Sequence, residues 1–247
     1  LTVFSITISV ALLLGMEQLR QSMRNSFLQT VSGVDLVVGA RGDAIPILLY
    51  SVFRLGEATN NLRWRSYLEW TRDERVEWAI PLSLGDSHKG FRVLGTTSDY
   101  WKHYKYSNNR KIKLQAGKFF GGLYDAVIGS VVAEKLGYRL NQQIVIAHGA
   151  GSAALFEHDD QPFQVVGILK PTGTPVDQTI HVSLEAIEAI HIGWEDGFPS
   201  TETANPETIN LSDLQPKSIT AFLVRLTSKM HTFRVQREIN AYEKEPL

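Results

Sequence analysis

Four side chains within one short stretch have the chemistry to hold a metal ion: His148, His158, Asp159 and Asp160. Imidazole and carboxylate can bind zinc without thiolate help. A hairpin joining Ile144-Val145-Ile146 to Phe163–Leu169 would bring His148 opposite His158. The letters Glu157-His158-Asp159-Asp160-Gln161 equally spell a polar turn. The turn is the reading adopted: no metal ligand is assigned, and His148, His158 and Asp159 stay as candidates only. His181 and His191 stand further apart in the chain and make a weaker set.

Other catalytic patterns fail on spacing or context. There is no GxxxxGK[ST], so nucleotide hydrolysis would have to come from another chain, and Gly149-Ala150-Gly151-Ser152 follows a strand pattern without opening a helix. Neither GxSxG nor HExxH occurs, and Gly129-Ser130-Val131 reads as a helix cap. The absence of Cys removes disulfides, thiolate zinc sites and a cysteine nucleophile together. No catalytic or cofactor-binding residue is therefore assigned, no cofactor is expected, and the chain is not read as an enzyme. Arg41-Gly42-Asp43 reads as a turn. Tyr100–Arg110 sets aromatic and basic residues side by side, which can stack bases or grip headgroups. A formal charge of -1 supplies no wider basic field, so this stretch is expected to be solvated surface and nucleic acid is not expected as a partner.

The elements that must position these residues begin with Leu1–Gly15, which carries no charge. At about 1.5 Å per residue it is too short to cross a hydrocarbon core of roughly 30 Å unaided. It reads as part of a transmembrane helix whose beginning is missing, because Gly15-Met16-Glu17 is a poor signal-peptide cleavage site and no basic region precedes it. The helical pattern continues: Leu19, Met23, Phe27 and Val31 recur every four residues among polar neighbours, ending near Ser32-Gly33. Arg20 and Arg24 would place this flank in the cytoplasm by the positive-inside rule, which has little force before a long domain.

Beyond it the patterns alternate between strand and helix. Val34–Ala40 reads as a strand, Ile45–Leu55 as an apolar helix to be buried against a sheet or against membrane lipid, and Asn60–Trp70 as a short helix whose Trp64, Tyr67 and Trp70 anchor it in the core or reach a membrane interface. Val76–Leu84 and Gly90–Thr96 read as a hairpin turning at Gly85–His88. In the next stretch, Ala126–Ile128 is a strand, and Ser130 is expected to cap a two-turn helix that Gly137 closes. Thr179–Val182 reads as a strand and Ser183–His191 as a helix. Gly193–Lys217 is a long loop, Ile219–Leu226 a strand, and Met230–Tyr242 a helix with Phe233, Ile239 and Tyr242 apolar. The order gives an α+β fold in two subdomains. Residues 33–110 plus 179–247 form one layer, residues 111–178 an inserted β-rich module, and residues 1–32 the partial transmembrane helix and its stalk.

The ordered string Ile128-Gly129-Ser130, Val132-Ala133-Glu134-Lys135-Leu136-Gly137, strand, turn, Phe163-Gln164-Val165-Val166-Gly167-Ile168-Leu169 resembles the extracytoplasmic domain of MacB-like ABC transporter permeases, the FtsX-like permease family. The resemblance is clearest over residues 117–177. It implies a MacB-like periplasmic core domain in which a porter-like part (33–110 plus 179–247) is interrupted by a Sabre-like part (111–178). It places the domain on the periplasmic side of the bacterial inner membrane. The partners it implies are a cytoplasmic ABC ATPase subunit, a second permease copy, membrane lipid and a periplasmic partner. The implied work is to couple ATP hydrolysis by the separate subunit to export or extraction of a substrate. Leu19, Met23, Phe27 and Val31 would then be the coupling helix. A membrane-tethered ligand- or metal-binding module is the alternative, and a tethered hydrolase stands behind that.

Overall fold

The computed structural model describes residues 2–42, 44–56, 58, 60–149, 161–192 and 214–247. Thr2–Thr30 form one unbroken helix, α1, of 29 residues. Its segment Thr2–Ser22 has 21 residues, a mean hydropathy of 1.6 and no burial, and is the one helix among the described residues long and apolar enough to cross a membrane. At about 1.5 Å per residue such a segment matches a hydrocarbon core of roughly 30 Å. Spanning length is reached because the helix runs on past Gly15. The two charges this adds, Glu17 and Arg20, are joined by hydrogen bonds of 2.8 and 2.9 Å.

The folded part begins with β1 (Leu36–Gly39), α2 (Ala44–Ser51), β2 (Leu62–Arg63) and α3 (Trp64–Thr71). A hairpin of β3 (Val76–His88) and β4 (Phe91–Thr96) leads to α4 (Asp99–His103) and a small hairpin, β5 (Lys105–Tyr106) and β6 (Arg110–Lys111). Next come β7 (Leu114–Gly117), β8 (Asp125–Ile128), α5 (Ser130–Leu136), β9 (Gln143–Ile144), β10 (Ala147–His148) and β11 (Phe163–Leu169). The chain closes with β12 (Thr179–Ser183), α6 (Leu184–His191), β13 (Ser218–Ile219), β14 (Ala221–Leu226) and α7 (Thr232–Asn240).

Ten of these strands form one mixed sheet in the order β1-β14-β3-β4-β12-β8-β11-β7, with β10 added to β3 and β9 to β11. The β4–β12 and β8–β11 ladders are parallel and the others antiparallel. Segment 111–178 contributes β7 to β11 to this sheet and meets its flanks where β8 pairs with β12 and where β10 pairs with β3. Burial crosses the same line. One apolar cluster joins Ile80 and Leu94 to Val127 and Leu169, and a second joins Val93 and Ile187 to Ile128 and Phe163. A third packs α3 and α7 on β14 through Tyr67, Val235, Ile239 and Phe222. The four residues Thr179–Val182 of β12 are all buried, because β12 lies mid-sheet and α6 covers it with Ala186, Ile187 and Ile190. Ser183 starts α6 by accepting a hydrogen bond from the Ala186 amide at 3.1 Å, as an N-cap side chain does.

Four local expectations are corrected. The helix expected over Ile45–Leu55 ends at Ser51, and Ile45 and Leu55 are exposed at 64% and 60%, so the segment is not buried on all its apolar faces in this chain. The β3–β4 turn falls at Lys89-Gly90, with φ of 48° and 83°, the left-handed pair a two-residue hairpin requires. Gly85-Asp86 is instead a register shift inside the hairpin, where β10 pairs with β3 and Gly149 N–H reaches the Gly85 carbonyl at 3.0 Å. Gly129, not Ser130, caps α5. A Cβ at Gly129 would lie 2.3 Å from the Asp177 carbonyl oxygen, so the close crossing of these backbones demands glycine, and Ser130 becomes the first helical residue with a buried, unbonded hydroxyl. Finally, Tyr100 and Tyr104 are core residues rather than solvated surface.

Candidate functional site: where the long helix enters the domain

The last carbonyls of an α-helix have no partner within the helix. In α1 the domain supplies them. Gln29 O accepts from the Ser107 amide at 2.8 Å, and Thr30 O accepts from the Tyr104 hydroxyl at 2.8 Å. Two residues on, the Ser32 amide donates to Lys105 O at 2.8 Å, so the exit of α1 is bound to the β5–β6 hairpin. The hairpin is tight because Ser107, Asn108 and Asn109 all hold positive φ (29°, 56° and 63°), a conformation that short polar side chains tolerate better than most.

Val31, the first residue past the helix, is 3% exposed and sits in the cluster that also holds Tyr100 and Tyr104. Fully burying a valine is worth about 1.5–3 kcal/mol, so the helix end is held by apolar packing as well as by hydrogen bonds. Tyr104 stacks on Tyr100 with centroids 4.6 Å apart, and Tyr100 contacts His181 of β12 at 5.3 Å. A packed column thus runs from the end of α1 to the middle strand of the sheet. Burial raises the Tyr104 phenol well above its ordinary range and pushes His181 down to about 3, with the positive Arg54 nearby adding to the latter shift. The column is therefore neutral at physiological pH. Its fixed bonds are Tyr104 to Thr30 and His181 Nδ1 to the Val127 carbonyl at 3.3 Å.

The residues singled out in the sequence are distributed as follows. Leu19 lies on the exposed face of α1, and Met23 and Phe27 occupy helical positions in α1. Val31 has left the helix and belongs to the core of the domain. His148 lies in β10, opposite Asp86 in the register. His158, Asp159 and Asp160 fall outside the described residues, as does 193–213 of the long loop. His191 Nε2 is 3.6 Å from an Asp86 carboxylate oxygen, and among the described residues no group of three or more His, Asp and Glu is arranged to hold a metal. The sequence reading missed Tyr100 and Tyr104 as the seat of the helix. The signal available was their spacing of four, followed by Asn108-Asn109 as a left-handed turn.

The chain matches the model of the MacB-like periplasmic core domain over residues 1–242. It belongs to that family. The MacB-like domain is an α+β unit preceded by an apolar helix, as the resemblance implied, and the match runs without a break from that helix into the sheet. Solved structures similar to it include the extracellular domain of the noncanonic ABC-type transporter YknZ from Gram-positive bacteria. That pair shares 12% identity over 85% of this chain and 94% of the other, with a TM-score of 0.46. The periplasmic region of MacB from Actinobacillus actinomycetemcomitans shares 8% identity over 86% of this chain and 87% of the other, with a TM-score of 0.48. No curated protein matches the MacB-like chain in sequence.

Proposed function

We propose that this chain is the extracytoplasmic part of an ABC transporter permease subunit. It couples ATP hydrolysis by a separate cytoplasmic subunit, working with a second permease copy, to export or extraction of a substrate outside the inner membrane. The observation that carries the reading is the continuity of α1 from Thr2 to Thr30, ending in the bonded seat at Tyr104, Lys105 and Ser107. A rod of 29 residues is roughly 43 Å long at about 1.5 Å per residue, enough to span the membrane and stand beyond it. Movement of the rod would be delivered to the sheet through Val31 and the tyrosine column, with Leu19, Met23 and Phe27 as the earlier coupling positions along the helix. Segment 111–178 would act as an inserted subdomain that follows β12 through the β8 ladder. The work is mechanical and asks no residue of this chain to be catalytic.

The test is Ser22→Pro in the complete transporter. Proline removes a backbone donor and clashes with the preceding turn, at about 3 kcal/mol, in the middle of the rod. Export should fall while ATP hydrolysis and co-purification of the subunits persist. Normal export from an assembled Ser22→Pro complex would reject the coupling role and leave α1 as a tether.

A further inference from the structure

A cleft of about 930 Å³ opens between the α2–β2 connection, the tip of the β3–β4 hairpin, α5 and the turn leading into β12. Four cations line it: Arg54, Lys89, Arg92 and Lys135. Among the described lining residues the single carboxylate is Asp177, and it is already engaged. Its oxygens accept from the Thr172 amide at 2.8 and 3.0 Å, the Gly173 amide at 2.7 Å and the Thr172 hydroxyl at 2.8 Å. In a chain of formal charge -1 this local excess is a departure from the whole.

Arg54 gives the excess its focus. It is 9% exposed, holds a left-handed φ of 60°, and lines both this cleft and an adjoining cavity of about 180 Å³. Its guanidinium donates to the Ser51 carbonyl, and no carboxylate among the described residues pairs with it. Tyr100, Tyr104 and His181 around it are neutral, the tyrosines raised and the histidine lowered chiefly by burial. A buried guanidinium without an anion is costly, and a non-glycine residue at positive φ adds about 1 kcal/mol or more. Such strain persists where surrounding structure holds it, and binding sites are where it collects.

The apolar part of the lining is equally specific. Phe53 and Phe91 are half-buried at the wall, and Leu55 stands 60% exposed beside them. We propose that this cleft binds a phosphate-type oxyanion carried on an apolar chain, with Arg54 taking two oxygens through its planar fork and Lys89 and Lys135 supplying point charges. Guanidinium and ammonium groups divide phosphate recognition in this way. Leu55, Phe53 and Phe91 would cover the first carbons of the chain. If the coupling proposal holds, this names the substrate or co-ligand class. The site stands without it, because binding is read on this chain alone.

The experiment titrates the full chain, in maltoside micelles, with n-hexyl phosphate, inorganic phosphate and n-hexyl glucoside by calorimetry. Hexyl phosphate should bind, hexyl glucoside should not, and inorganic phosphate should bind at least tenfold more weakly. The exposed pair Lys89→Glu with Lys135→Glu should weaken hexyl phosphate at least tenfold, and Arg54→Gln should abolish it. Equal binding of hexyl glucoside would reduce the cleft to a greasy contact and overturn the proposal. Equal binding of inorganic phosphate would make it a free-anion site and overturn the amphiphile assignment. Less than a twofold effect of the lysine pair overturns it too, a readout that remains if Arg54→Gln fails to fold.

Discussion

The Tyr104 hydroxyl donates to the Thr30 carbonyl at 2.8 Å, which ties a core side chain to the last residue of the long helix. Phenylalanine at 104 keeps the ring stacked on Tyr100 and removes this bond alone. Tyr104→Phe is expected to cost about 0.5–1.5 kcal/mol in urea unfolding of the chain. In the assembled transporter it should lower export per ATP hydrolysed. A variant matching the parent in both measurements would show that the seat of α1 is held by Val31 and the hairpin without this hydroxyl.

His181 makes acid stability the second expectation. Its pKa is pushed down to about 3 from 6.5, by burial first and by the Arg54 charge second. Between those values the unfolded chain binds a proton at this site and the folded chain does not. The stabilisation is therefore present above pH 6.5 and is lost as pH falls toward 3. The slope from this one group is about 1.4 kcal/mol per pH unit. His181→Leu should show a shallower decline than the parent over this window, measured as the difference in unfolding free energy at each pH. Parallel curves would mean that His181 is protonated in the folded chain.

The two ends of α7 should respond unequally to truncation. Phe233 is 81% exposed and Met230, just before the helix, is 90% exposed, whereas Ile239 is buried against β14. Ile239→Ala is expected to cost about 2–5 kcal/mol, and Phe233→Ser less than about 0.5 kcal/mol. A large loss at Phe233 would show that this ring is covered in the folded chain.

Much of the local structure was readable because it depends on near neighbours. β11 is an apolar run with its ends marked, and α5 closes at Gly137, which holds φ of 68° as the sequence implied. What was illegible depended on residues far away. Gly85 carries a turn signal, but β3 continues past it because Ala147 and His148 pair there. Tyr100 looked like surface beside Lys102 and Lys105, and it is buried in a cluster where Tyr104 stacks on its ring and His181, far along the chain, packs beside it. Phe233 fitted the apolar side of a helix by type, but the register of α7 on the sheet is set by Val235 and Ile239. The cleft around Arg54 draws on four separate stretches, so no window of sequence contains it.

The position of β14 between β1 and β3 has a consequence for synthesis. Val38 lies opposite Phe222, and Leu223 opposite Ile80, so two early strands are bridged by one made near the end. Pairings between residues so distant in sequence close large loops and form slowly. While the ribosome is still adding the last quarter of the domain, β1 lacks its partner strand and β3 lacks one of its three. Because α1 precedes them, this unfinished sheet would have to wait on the far side of a membrane that its own helix already crosses. Exposed strand edges of that kind aggregate readily, so the long delay before β14 arrives marks the stage at which this chain most needs a chaperone.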